Sequence, residues 1–562
     1  MECRGCNTNT TTINNINHHH HHHRRRFSIY GRCLVFAFEI PAPRKIGDYC
    51  KTLSSHTGMN TTGVNQYNYK FVARSLAKKV YRRSTRHCVS IQRSSRSKMV
   101  SEEEVNYEIG QRIETQEDAV VFIKAETEKG TILSERGYGA CKPPFSYWPY
   151  FLRCANRPFD ATNDREGYIN LAVAQNFLAK QDVQDKVKEI CKNNENDALI
   201  FGLEAAGYDN MKGIERLRKA FSNHANRIIS PNFAWHEDDV CVSSGVGACI
   251  DNLVFAIADS NDFILIPAPY YPAFTNDLGV RCRVRAVPVY NSSGDVTVLP
   301  SLEDFRRAEE NAVGEGEGMC RALLLTNPNN PLGIIYEPGD YRRCVDWALE
   351  RQIHCISDEV YAGSIYDSEM NAKTRGFISA AEMVEEHTPY GPHILTGLSK
   401  DFCASGYRVG AILTKSKPVQ TALSNVSYFC AVPGPFQHVI AAMLEDEVWV
   451  DELFSMNRTR LKQSRDVLVA SLNEKKIPHI VPNAGLFIWI DLSNELKEQT
   501  FEEEKKLWKI LFEETHLMLT PGKDAKNKKP GTFRACFAAT PFESLKVAIE
   551  RISAGLEMYR NL

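Results

Sequence analysis

The sequence has no apolar stretch long enough to cross a bilayer. The longest run near its start, Cys33 to Phe38, is short, and no later segment reaches the roughly 18 apolar residues of a spanning helix, so no membrane partner is expected. No secretory-signal pattern opens the chain, and there is no dense cysteine framework. The 17 cysteines are scattered through apolar runs such as Arg534-Ala535-Cys536-Phe537, in a chain too large to need staples, which predicts free thiols in a reducing compartment. Cys3 and Cys6 have C-x-x-C spacing without a second pair, and no metal site is expected. Net charge is nearly absent too, at -1, but it is unevenly spread. Residues 1–100 carry 18 Lys or Arg against three acids, leaving 50 against 66 in the remaining 462. That acidic body argues against nucleic-acid binding.

Residues 1–100 are rich in Asn, Thr, Ser and Arg, with six histidines from His18 to His23 followed by Arg24-Arg25-Arg26. Such a segment cannot build a core and is expected to be a disordered, low-complexity leader. The histidine run lies inside an Asn-rich tract, which favours native low complexity over a metal-binding tract or a tag. An Arg- and Ser-rich, acid-poor leader fits an organelle transit peptide; Lys98-Met99 before Ser101-Glu102-Glu103-Glu104 equally fits the start of the ordered protein. A cytoplasmic location is expected, or an organelle if the leader is a transit peptide.

What remains is globular in composition, 43% hydrophobic and 24% charged over 562 residues, and long enough for two or three domains. From about residue 131, apolar strand-like runs alternate with amphipathic stretches, which predicts an α/β protein with a mainly parallel sheet. Strands are expected at Asp262–Pro267, Arg321–Thr326, Ile353–Ser357 and Val409–Thr414. Ligands bind beyond the carboxyl ends of such strands, so the chemistry should follow these runs.

After the second run comes Asn327-Pro328-Asn329-Asn330-Pro331-Leu332-Gly333, a rigid path that presents Asn330 or simply caps a turn. The third ends in Ser357-Asp358-Glu359-Val360-Tyr361, an acid that needs a cation or donor; a pyridinium nitrogen is one such partner, a helix N-terminus another. Gly397-Leu398-Ser399-Lys400-Asp401-Phe402 offers a lysine that is nucleophilic if burial or a neighbouring cation lowers its pKa, and Arg408, eight residues on, can be that cation or clamp a phosphate. Upstream, Ser243-Ser244-Gly245-Val246-Gly247 precedes a helix-like run from Cys249 to Ala258, a phosphate-site pattern. Pro269-Tyr270-Tyr271-Pro272 offers an aromatic face, or two buried core tyrosines.

In this order, the segments resemble the class I/II aminotransferases of the aspartate aminotransferase fold. Their wording is nearest to that of 1-aminocyclopropane-1-carboxylate synthases and synthase-like proteins, a similarity that Pro482–Asp491 and Phe533–Ala538 extend towards the C-terminus. The resemblance implies a large domain with a mainly parallel seven-stranded sheet and a smaller α/β domain built from N- and C-terminal segments. The boundaries expected are 1–100 for the leader, 101–185 for an N-terminal arm and part of the small domain, 186–435 for the large domain and 436–562 for the C-terminal small domain.

The same resemblance implies pyridoxal 5'-phosphate as cofactor, with Lys400 as Schiff-base lysine and carrier of the Cα proton. Asp358 would face the pyridine nitrogen, Asn330 and Tyr361 the phenolate oxygen, and Tyr271, or alternatively Tyr270, the ring face. Ser244, Gly245, Val246 and Arg408 would cradle the phosphate, with Tyr208 from the second subunit of a homodimer. Arg534 would take the substrate carboxylate, beside Ala172 and Gln175. The implied substrates are an amino acid and a 2-oxo acid. Three departures stand out: Val246 and Gly397 replace hydroxyl-bearing residues, and Gln175 stands where the synthases carry a glutamate. A glutamine cannot accept a proton, which favours an aminotransferase over a cyclopropane-forming synthase acting on S-adenosylmethionine, with a catalytically silent relative as third reading.

Overall fold

The computed structural model describes residues 134–562 apart from 141–142, 194–198, 203–204, 206, 317, 368–375 and 385–387. The leader, with its histidine run, Cys3 and Cys6, lies outside the described residues. Seven strands form the main sheet: β1 (Val240–Ser243), β2 (Phe263–Pro267), β3 (Arg285–Val289), β4 (Cys320–Thr326), β5 (His354–Asp358), β6 (His393–Gly397) and β7 (Gly410–Leu413). Their spatial order is β1-β7-β6-β5-β4-β2-β3. Pairings β3–β2, β2–β4, β4–β5 and β5–β6 are parallel, while β7 runs antiparallel to both neighbours, so the mainly parallel seven-stranded sheet stands.

The inner strands β2 and β7 are apolar and buried throughout because both sheet faces are covered there, whereas the edge strand β3 is half-buried over most of its length. Side chains alternate across a strand, and the two cores follow that period. Phe263, Leu265, Leu323 and Leu325 enter one core; Ile264, Ile266, Ala322 and Leu324 enter the other. Helix α1 (Val246–Ile257) belongs to the second and starts directly after β1.

A smaller four-stranded antiparallel sheet contains β8 (His479–Ile480), β9 (Phe487–Asp491), β10 (Thr520–Pro521) and β11 (Thr532–Cys536) in the order β10-β11-β9-β8. It shares a core with α2 (Glu447–Glu474), α3 (Phe501–Glu513) and α4 (Phe542–Arg560). Residues 169–177 form a strap along this body: Ile169–Asn170 pairs in parallel with Leu517–Met518, Cys536 N–H donates to Leu171 O (2.7 Å), and Phe177 N–H to Ala538 O (2.9 Å). The strap brings Ala172 and Gln175 to the carboxyl edge of the main sheet. Among the described residues the cysteines are free, and no helix is long and apolar enough to cross a membrane.

Candidate active site

Lys400 sits in the turn after β6, held by Leu398 N–H to Val409 O (3.1 Å) and Cys403 N–H to Lys400 O (3.1 Å). Its Nζ donates to Ala174 O on the strap at 2.6 Å. Burial lowers its pKa to about 8, against the opposing pull of Cys536 and Asp358 and with the help of the Arg534 and Arg408 guanidinium groups. A fraction of the amine is therefore neutral, and nucleophilic, near neutral pH.

Asp358 closes β5. It is buried, which pushes its carboxyl up to about 7 despite the Val360 N–H (3.4 Å) and the field of Lys400. No lysine, arginine or histidine forms an ion pair with it among the described residues. Tyr361, three residues on, is buried with its hydroxyl 3.2 Å from Asn330 Nδ2. Asn330 Oδ1 accepts from Arg534 Nη1 at 2.9 Å, so these three form one connected row.

Arg534, on β11, is 1% exposed. Its Nη2 donates to Ala172 O (2.6 Å) and Thr520 Oγ1 (3.1 Å), its guanidinium lies 4.5 Å above the Phe487 ring, and its Nε has no partner. All these acceptors are neutral. A buried cation without a counter-ion is costly, and it fits an anionic guest.

At the other end of the cleft, Gly245 caps α1 with φ +93°. A Cβ there would come within 2.6 Å of Arg408 Nη2, so the missing side chain lets the guanidinium cover the helix N-terminus. Arg408 Nη1 also donates to Ser405 O (3.0 Å), and Gln175 Nε2 lies 3.5 Å from Ser405 Oγ. Ser244 turns its hydroxyl to Cys430 O (2.8 Å). Tyr271 is the tyrosine that faces the cleft: Asp277, Tyr147, Arg534 and Asp358 all act on its phenol, which burial pushes up. Tyr270 turns away towards Thr275 (3.3 Å). Tyr208 is 92% exposed and does not join the other residues within one chain.

Several contributors escaped sequence reasoning. Cys536 lies two residues past Arg534, on the same strand face, with Sγ 3.4 Å from Gln175 O and within the field of Lys400. The period of two along β11 could have exposed it. Tyr147, whose phenol is buried near Thr520 and Arg534, and Asp277 beside Tyr271 have no comparable local signal.

A family model described as aminotransferase class I and II matches residues 166–552. Curated relatives include 1-aminocyclopropane-1-carboxylate synthase 2 of Cucurbita pepo, 31% identical over 437 residues that span 76% of this chain and 85% of the relative. The 1-aminocyclopropane-1-carboxylate synthase of Malus domestica is 30% identical over 430 residues, 74% of this chain and 88% of its own. Among solved structures, a Thermus thermophilus aspartate aminotransferase mutant superposes with a TM-score of 0.61 at 22% identity, covering 75% of this chain and 99% of that one. An aromatic aminotransferase of Pyrococcus horikoshii gives 0.58 at 20%, covering 70% and 97%. The fold is aspartate aminotransferase-like. The chain belongs to the class I and II aminotransferases, a family of pyridoxal-phosphate-dependent enzymes.

The residues present fit that cofactor. Asp358 is a buried carboxylate without a cation, as a pyridinium nitrogen requires, and Arg408 over the α1 N-terminus suits a phosphate dianion.

Proposed function

We infer that this protein is an aminotransferase acting on an α-amino acid and a 2-oxo acid. The carrying observation is the Lys400 amine, its pKa lowered to about 8, held on the Ala174 carbonyl within the fields of Asp358 and Arg534. Pyridoxal phosphate, when bound, supplies an aldehyde for covalent attachment and an electron-withdrawing ring. Asp358 would hold the ring nitrogen, Asn330 and Tyr361 the phenolate oxygen, and Tyr271 the ring face. Arg408 and the N–H groups of the first turn of α1, from Val246 on, would hold the phosphate. Ser244 and Gly245 would shape the turn, their own N–H groups donating to Cys430 O (2.9 Å) and Ser243 O (2.6 Å). Arg534, beside Ala172, would fix the substrate carboxylate and thereby set which Cα bond lies across the ring. Lys400, once free, would carry the Cα proton.

Tyr208 would complete the phosphate site of a partner subunit, and its exposure supports that reading; the protein is proposed to be a homodimer. A second reading, the cyclopropane-forming lyase, is supported by the names of the curated relatives. Gln175 speaks against it, since an amide directed at Ser405 cannot carry the charge of a carboxylate. The test offers nitrogen-15-labelled amino acids with 2-oxo acids, and S-adenosylmethionine separately. Transfer of label to the 2-oxo acid, lost in Lys400→Ala, supports the aminotransferase. Release of methylthioadenosine with a cyclic amino acid, and no label transfer, overturns it.

A further inference from the structure

Three positions surround the N-terminus of α1, and none offers a free hydroxyl hydrogen. Ser244 Oγ donates to the Cys430 carbonyl at 2.8 Å, with the Ala431 carbonyl at 3.4 Å. Val246, the first residue of the helix, presents an isopropyl group. Gly397, the last residue of β6, has no side chain and no room for one. A Cβ there would come within 2.8 Å of Val409 O and 2.9 Å of a Val246 methyl. Its cross-strand partner Gly410 is as crowded, with Val246 N 2.6 Å from a Cβ placed on it. The helix N-terminus is thus sunk into a notch of two facing glycines, with the Val246 methyl over Gly397. Opposite, the Arg408 guanidinium covers Gly245.

We propose that Val246, seated on the Gly397–Gly410 notch, sets how firmly this protein retains pyridoxal phosphate. Within one chain the phosphate is held by the first-turn N–H groups of α1 and Arg408 without a hydroxyl from Ser244, Val246 or Gly397, which leaves the hydroxyl contact to the partner subunit's Tyr208. The proposal rests on the cofactor reading above. Backbone donors at a helix N-terminus and one guanidinium suffice for binding. A hydroxyl donated to a dianion is a charge-assisted bond, stronger than its neutral counterpart, and this chain's own side of the cup forgoes it. Valine and threonine share a shape, so Val246→Thr restores one donor while the notch stays filled.

The experiment measures binding of pyridoxal phosphate to the full-length apoprotein, with phosphate-free pyridoxal in parallel, and cofactor release from the holoprotein. Val246→Thr should lower the Kd for pyridoxal phosphate about tenfold, equivalent to about 1.4 kcal/mol. Release should slow by a similar factor, since affinity changes at one site appear mainly in the off-rate. Pyridoxal binding should stay within about twofold, because the new hydroxyl addresses only the phosphate. Val246→Ser should act in the same direction, so misfolding of one variant does not decide the matter. Gly397→Ala should weaken pyridoxal phosphate binding by lifting the helix from the notch. If wild-type protein takes up the cofactor but both Val246 variants leave its Kd within twofold, or shift pyridoxal equally, this proposal alone is overturned. No uptake by wild-type protein would remove the cofactor reading and this proposal with it.

Discussion

Arg465 and Arg534 are almost wholly enclosed, 4% and 1% exposed, yet their surroundings differ in kind. Arg465, in α2, meets Asp367 at 2.7 Å and Asp466 at 2.8 Å. Arg534, in the cleft, meets the neutral oxygens of Asn330, Ala172 and Thr520 and the Phe487 ring, and none of these is an acid. Two buried acids differ in their donors, although burial holds both carboxyls up at about 7. Asp401 accepts both the Gly363 N–H (2.8 Å) and the Ser364 hydroxyl, whereas Asp358 has a single N–H at 3.4 Å. A charge answered within the protein supports the fold. One left unanswered lowers stability and marks a place where a ligand completes the site.

The largest effect expected concerns the group at the centre of the cleft. Lys400→Ala should remove covalent cofactor attachment and lower kcat on the order of 10⁴-fold or more, with thermal unfolding of the apoprotein little changed. Absorbance spectra, steady-state rates and melting curves check this.

The two arginines offer a sharper dissection. Arg534→Gln should lower kcat/KM on the order of 10²- to 10³-fold, about 3–4 kcal/mol, mostly through substrate binding, without lowering the Tm of the apoprotein. Arg465→Gln should do the reverse. It takes the nearer cation from Asp367, which keeps Lys462 at 4.0 Å, at a cost of about 2–3 kcal/mol, below the range for a fully enclosed pair because Asp466 is half exposed, and kcat/KM stays near the wild-type value. Equal effects of the two substitutions on both measurements would break the comparison.

Asp358→Asn should separate stability from function. The folded carboxyl titrates at about 7, above the roughly 3.9 of an unfolded chain, so its stabilising contribution is complete below the lower value and fades as pH rises through the higher. At pH 8 the wild-type apoprotein holds an unpaired buried anion, and the asparagine variant should melt a few degrees higher; near pH 5 the gap should narrow. The holoprotein should lose about 100-fold in turnover, since an amide cannot keep the ring protonated.

The smallest effect is kinetic. With the Lys400 amine near 8, the rate at which the apoprotein takes up pyridoxal phosphate covalently should fall about tenfold per pH unit well below that value and level off above it. A profile centred near 10 would show that burial does not act on this lysine as described.

Much of this arrangement was legible because it is local. The runs ending at Thr326 and Ser357 carry Asn330, Asp358 and Tyr361 straight after them, and β4 and β5 begin and end within about a residue of the runs. The direction of β7 was not legible. A short apolar run buried on both faces looks the same whichever way it pairs, and the antiparallel β6–β7 register shows only in the structure. Contacts across long separations were silent as well. Ser244 meets Cys430 186 residues away, and Arg534 reaches Asn330 204 residues away. Residue type named the members of the cleft, whereas which hydroxyl was already committed and which arginine lacked an acid depended on packing.

The most direct measurement is reduction of the holoprotein with borohydride followed by peptide mapping. The account predicts a single pyridoxyl adduct on Lys400, absent from Lys400→Ala. No adduct, or an adduct on another lysine in the wild-type protein, would contradict it.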